Sequence, residues 1–168
     1  EMDNSKTIGT LNVWQQLLVS FFQTVTMRTA GFATISYTNA NFTSNLLFMI
    51  QMFIGGGTGG TAGGIKVTTA SIMFLLFKSV LSGNSRVVFR NRIISNKTVM
   101  QAFTVILFYL IMLLVGYVIL LQTNPTLSPL ALLFESVSAI ATVGVSMDLT
   151  SSLNTMGRLV IMALMFIG

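Results

Sequence analysis

Neither cysteine nor histidine occurs anywhere in this chain of 168 residues. Without cysteine there is no disulfide and no thiolate to hold a metal. Without histidine there is no imidazole base or ligand, which removes Ser-His schemes and most metal-hydrolase sites. Charge is scarce as well: 8% of residues are charged against 53% hydrophobic, with a mean hydropathy of +0.82. A water-facing domain carries about a quarter charged residues, so most of this surface is expected to face lipid or other protein. Acids are nearly missing, with none between Asp3 and Glu135. Glu135 is the one acid set in an apolar segment, too little for acid–base chemistry, and the chain reads as something other than an enzyme.

What charge there is has a pattern. Five of the nine basic residues fall between Lys78 and Lys97. No aromatic platform or groove-reading motif accompanies them, so nucleic acid is not the expected partner. Flanked by apolar helices, the stretch 82–97 reads as a cytoplasmic loop of a multi-pass protein of the plasma membrane. No signal peptide is visible at Glu1, and Phe166-Ile167-Gly168 lies inside an apolar run. Both ends are expected to be cuts within a longer protein.

The apolar segments come in two lengths. Trp14 to Thr26 and Pro129 to Ala141 hold thirteen residues each, or roughly 20 Å of helix against a bilayer core of about 30 Å. Such lengths suit re-entrant half-helices. Thr98 to Leu121 is a full span of twenty-four uncharged residues. Phe42 to Ile54 and Ile65 to Leu81 are helical in pattern, interrupted by a run from Gly55 to Gly64 whose glycine density forbids a stable helix. A last apolar helix begins near Leu153.

An internal repeat links the pieces. Thr29-Ala30-Gly31-Phe32 matches Thr142-Val143-Gly144-Val145, and Met52-Phe53-Ile54-Gly55 matches Met165-Phe166-Ile167-Gly168, both at one shared spacing. Phe22-Gln23-Thr24-Val25-Thr26 matches Phe134-Glu135-Ser136-Val137-Ser138 at a spacing one shorter, which places an extra residue before the second glycine. If both short segments dip in from one face, 98–121 runs from the basic loop to that face. Residues 42–81 then cross once, broken in the middle.

A short helix, a Thr-X-Gly turn and an inner helix make up the arrangement a carbonyl-lined ion filter needs. Non-helical backbone at membrane depth is tolerated where it lines water, and backbone carbonyls can replace the hydration shell of K⁺. Glycine adopts the left-handed conformations this requires, so Gly31 and Gly144 are the first candidates to offer carbonyls to K⁺. A secondary transporter binding a small solute at a broken helix is the alternative; it explains the glycine run but not two matched turns. The glycine run is not a phosphate loop, because Ile65 separates Gly64 from Lys66 and Val67 follows the lysine.

Thr-Met-Arg-Thr-Ala-Gly-Phe (26–32), the Gly/Thr-rich stretch 55–64 and Phe-Glu-Ser-Val-Ser-Ala-Ile-Ala-Thr-Val-Gly-Val-Ser (134–146) resemble the Trk/Ktr/HKT superfamily of K⁺ transporters, most closely the bacterial Ktr membrane subunit. The resemblance implies an all-α transmembrane fold in which four M1–P–M2 repeats surround one pore. Residues 1–97 would then be the third repeat without its M1, and residues 98–168 the fourth repeat with a truncated M2. It also implies that Thr29, Ala30, Gly31 and Phe32, with Thr142, Val143, Gly144 and Val145, supply two quarters of the selectivity filter. The stretch Gly55, Gly56, Gly57, Thr58, Gly59, Gly60, Thr61, Ala62, Gly63 and Gly64 would be an intramembrane gating loop beneath the filter.

A basic residue on the last M2 influences permeation in that family, which makes Arg158 a candidate; Arg28 and Glu135, beside the two turns, would pair with each other or brace the filter. Lys66 is left undecided between the pore and the cytoplasm. The resemblance further implies a homodimer in membrane lipid, regulated by cytosolic nucleotide-binding subunits of the RCK type, with K⁺ as the transported ion. Na⁺ stays open as a second ion, and no organic cofactor is expected in this chain.

Overall fold

A computed structural model describes residues 4–60, 62–83, 87–89 and 92–168. Asn12 precedes the first helix, α1 (Val13–Thr26), and its N–H donates to the Gln15 side chain (3.2 Å), which holds the first turn closed. After a single 3₁₀ turn at Tyr37–Asn39, α2 (Phe42–Phe53) runs into the glycine stretch, and α3 (Val67–Leu81) follows it. Ile54 and Ile65 pair as an isolated parallel bridge, with Gly55 N–H donating to Ile65 O (2.9 Å) and Val67 N–H to Gly56 O (3.2 Å). Parallel pairing means that the chain leaves the excursion in the direction in which it entered.

The basic stretch departs from pure helix. β1 (Val88–Phe89) and β2 (Arg92–Ile93) form a two-stranded antiparallel sheet with Val88 opposite Ile93. β-branched and aromatic residues on both arms favour that pairing over helix. Arg86 and Arg90 lie outside the described residues.

α4 (Asn96–Thr123) starts at Ser95, whose hydroxyl accepts from Thr98 N–H (3.3 Å). At 28 residues it is the one helix among the described residues long and apolar enough to cross a membrane; its length is roughly 42 Å. α5 (Pro129–Ile140) opens on a proline, which costs nothing at a first helical position. α6 (Thr155–Ile167) is capped by Asn154, which accepts from Gly157 N–H (2.7 Å). The chain is thus mostly helical, with six α-helices among the described residues, and their bounds fall within two residues of those expected from the sequence.

The core sits around α5, which packs against α2, α4 and α6. Nine of its twelve residues are buried. Gly116 lets α4 approach α6: a Cβ there would meet the Leu164 side chain at 2.8 Å. The far end of that contact is polar and closed. Buried Asn124 accepts from Asn154 N–H (3.0 Å), and Asn154 Nδ2 donates to Thr123 O (2.6 Å).

Candidate functional site

The two Thr-X-Gly turns share one backbone. Thr29 (φ 65°) and Gly31 (φ 77°) are left-handed, and so are Thr142 (φ 53°) and Gly144 (φ 87°), while Ala30 and Val143 between them are not. Alternating the sign of φ turns successive carbonyls to one side, where an extended strand would turn them to opposite sides. A β-branched threonine in this conformation is strained and persists only where its surroundings enforce it.

Those surroundings are related in the two turns. Ala30 N–H donates to Thr26 O (3.1 Å), and Val143 N–H to Ser138 O (3.0 Å). The Thr26 hydroxyl donates to Phe32 O and accepts from Phe32 N–H, both at 2.8 Å. Ser138 Oγ donates to Val145 O at 2.6 Å. A hydroxyl at the end of each short helix therefore latches the residue after each glycine. The carbonyls of Phe32 and Val145 are turned to these latches, while among the described residues the carbonyls from threonine to glycine accept no hydrogen bond.

Behind the turns the correspondence continues. The Gln23 amide satisfies both its ends with its oxygen toward Thr34 N–H (2.9 Å) and its nitrogen donating to the Tyr37 hydroxyl (2.9 Å). In the second half Glu135, 5% exposed, accepts from Met147 N–H (3.1 Å), the Thr150 hydroxyl (3.3 Å) and the Ser146 hydroxyl. Thr34 and Met147, and likewise Tyr37 and Thr150, stand apart by the same spacing as the two turns. Each buried polar side chain thus ties its short helix to the segment returning from its turn. Tyr37, wholly buried against Phe48 and Phe134, has its phenol pushed up to about 12 by burial and stays neutral at ordinary pH.

The two turns touch. A Cβ on Gly31 would overlap Val143 O, whereas Gly144 faces open space. Beneath them lies the glycine stretch. Gly63 N–H donates to Thr142 Oγ1 (3.1 Å), a Cβ on Gly63 would overlap that oxygen, and Gly64 lies against the Ala141 backbone. Lys66 Nζ donates back to Ala62 O, so its ammonium closes the stretch on itself. Thr61 lies outside the described residues.

Arg28 and Glu135 are not brought together: Arg28 is exposed, and the partners of Glu135 are those given above. Arg158, near the start of α6, donates to Leu153 O (3.1 Å) and Ser151 O (2.9 Å). Asn45, its counterpart in the first repeat, donates from its Nδ2 to Tyr37 O (3.1 Å) and Ala40 O (3.4 Å). Both side chains fasten the start of a helix to the loop before it. Thr26, Ser138 and Gln23 are the residues sequence reasoning leaves without a role. Their signal is present nonetheless, since each repeat ends its short helix in a hydroxyl. Among the described residues no group of three or more His, Cys, Asp or Glu could hold a metal ion.

Residues 2–168 match the cation transport protein family TrkH. The chain belongs to that family. It is 37% identical over 157 residues to the potassium/sodium uptake protein NtpJ of Enterococcus hirae, covering 92% of this chain and 35% of that protein. It is 35% identical over 169 residues to the Ktr system potassium uptake protein B of Bacillus subtilis, covering 100% of this chain and 38% of the relative. The protein of that name from Vibrio alginolyticus is 33% identical over 168 residues, covering 100% of the chain and 37% of the relative. The chain of this TrkH-family protein therefore spans just over a third of the length of these relatives.

Proposed function

We propose that this chain forms half of a K⁺-conducting pore, with Thr29–Gly31 and Thr142–Gly144 as two of its filter strands. The observation that carries this reading is the recurrence, at the spacing of the internal repeat, of one strained turn whose last residue is held by a hydroxyl of the short helix. Strain kept in both turns points to a use for the turn itself. Exposed carbonyls on one side of a glycine-bearing turn are what a dehydrated monovalent cation requires. The names of the relatives supply the ion, K⁺, with Na⁺ beside it in one of them.

On this reading α1 and α5 are pore helices, and residues 1–97 and 98–168 are successive repeats. α2 and α3 are one inner helix broken by the 55–64 loop; the parallel bridge between Ile54 and Ile65 supports a single interrupted crossing. The loop would act as the gate below the filter, and the Thr26 and Ser138 hydroxyls, Gln23 and Glu135 would hold the filter from behind. Arg28, and Arg158 through its loop carbonyls, would contribute only the field of an exposed charge near the mouth. The 82–97 loop would lie in the cytoplasm of a cell whose plasma membrane holds the protein as a homodimer, beneath which nucleotide-binding regulatory subunits would dock.

K⁺ uptake by the full-length protein tests the reading. Loss of K⁺ preference in Gly144→Ser, at unchanged membrane expression, supports it. Uptake that needs a co-transported organic solute supports the broken-helix transporter in its place.

A further inference from the structure

The glycine stretch is placed against one filter threonine, and the contact is chemical as well as steric. From the geometry we infer that a K⁺ at the inner end of the filter and the Gly63 N–H compete for the Thr142 hydroxyl oxygen, so that ion occupancy itself loosens the loop. This deepens the pore reading above and rests on it. A threonine hydroxyl has two acceptor lone pairs and one proton. The 3.1 Å bond from Gly63 sets the positive end of an N–H dipole directly below Oγ1, where a cation approaching that oxygen would be repelled. The bond is narrow in its tolerance, because the Gly63 backbone is pressed so close that even a methyl group would overlap Thr142. Gly168 closes the other side, with a Cβ there meeting Thr142 Cγ2 at 2.9 Å. The backbones of Gly63 and Gly168 therefore flank the threonine side chain on two sides.

Linkage makes the effect reciprocal. Whatever factor the Gly63 bond takes from K⁺ affinity at Thr142, bound K⁺ takes from the loop's hold on the filter. Among the described residues the bond from Gly63 goes to Thr142, in the second of the two turns. It would make the gate sense the permeant ion.

The test is a distance measurement between spin labels at Gly59→Cys, which lies in open space, and Leu110→Cys on the exposed face of α4. It is made on the full-length protein in lipid nanodiscs, in K⁺ and in Na⁺, with K⁺ binding followed by calorimetry on the same samples. Saturating K⁺ is expected to raise the displaced-loop fraction by about five-fold or more in the wild type and in Thr142→Ser. In Thr142→Val the loop should be displaced before K⁺ is added and respond no further. A K⁺ response in Thr142→Val equal to wild type overturns the inference, as does K⁺ that binds the wild type without moving the loop. Absence of any K⁺ binding would instead sink the pore reading. Should Thr142→Val fail to fold, Gly63→Ala decides, because its methyl displaces the loop without altering Thr142: a response lost supports the competition, and a response kept in full contradicts it.

Discussion

α1 with its turn and α5 with its turn share a pattern of φ and a hydroxyl that latches the residue after each glycine, yet within this chain α1 is largely uncovered and α5 nearly sealed. Val13, Trp14, Leu17, Leu18, Phe21 and Val25 of α1 are exposed, while Leu132, Phe134 and Ile140 of α5 are fully buried. The difference lies in what packs on them: α4 and α6 close over α5, and among the described residues no helix covers α1 in the way α4 covers α5. That the two turns agree nonetheless teaches that their shape is set locally. It follows from bonds reaching six or seven residues, from Thr26 to Phe32 and from Ser138 to Val145, and not from the tertiary cover.

The largest expected break in this equality is at the glycines. Gly31→Ala meets both a forbidden φ, at about 1–2 kcal/mol, and an overlap with Val143 O, which adds about 1–3 kcal/mol. Gly144→Ala meets only the first. Thermal unfolding of the purified full-length protein should place Gly31→Ala clearly below Gly144→Ala; equal losses would mean that the two turns do not touch.

Next come the buried polar side chains. Glu135→Leu leaves Met147 N–H and the Ser146 and Thr150 hydroxyls short of an acceptor, at about 1–3 kcal/mol for each donor that stays dry. Glu135→Gln gives the second half the chemistry of the first, with the amide nitrogen facing the Thr150 hydroxyl as that of Gln23 faces Tyr37. It should cost under about 1 kcal/mol and leave Rb⁺ uptake within roughly two-fold. A collapse in Glu135→Gln would show that the charge, and not the bonds, is what the site uses.

The smallest effect is at the latches. Thr26→Val removes two hydroxyl bonds to Phe32 and Ser138→Ala one to Val145, each bond worth about 1 kcal/mol, and both should lower K⁺ over Na⁺ preference a few-fold, with Thr26→Ser retaining it. Loss of stability with preference intact would make the hydroxyls scaffolding only.

Much of this is legible in the amino-acid sequence. Helix bounds follow apolar runs and breakers, and the repeat follows from Thr-X-Gly at one spacing, because both are local signals. Arg28 and Glu135 lie beside the two turns in the sequence, which leaves pairing with each other and bracing of the filter both open. The fold separates them by giving Glu135 donors from residues 146–150. Arg158 reads in the sequence as a charge on a helix; its bonds to Leu153 O and Ser151 O give it the fastening role that Asn45 has in the first repeat. The contact of Gly63 with Thr142 joins positions 79 apart, and no local pattern encodes which threonine a glycine-rich loop will meet.

The central claim is that these turns coordinate the ion. It is tested most directly by radiolabelled Rb⁺ uptake through the full-length protein carrying Gly144→Ser, competed by K⁺ and by Na⁺. The account predicts that the advantage of K⁺ over Na⁺ as competitor falls by about ten-fold, roughly 1.4 kcal/mol of discrimination, while protein in the membrane is unchanged. An undiminished K⁺ advantage in that variant would contradict it.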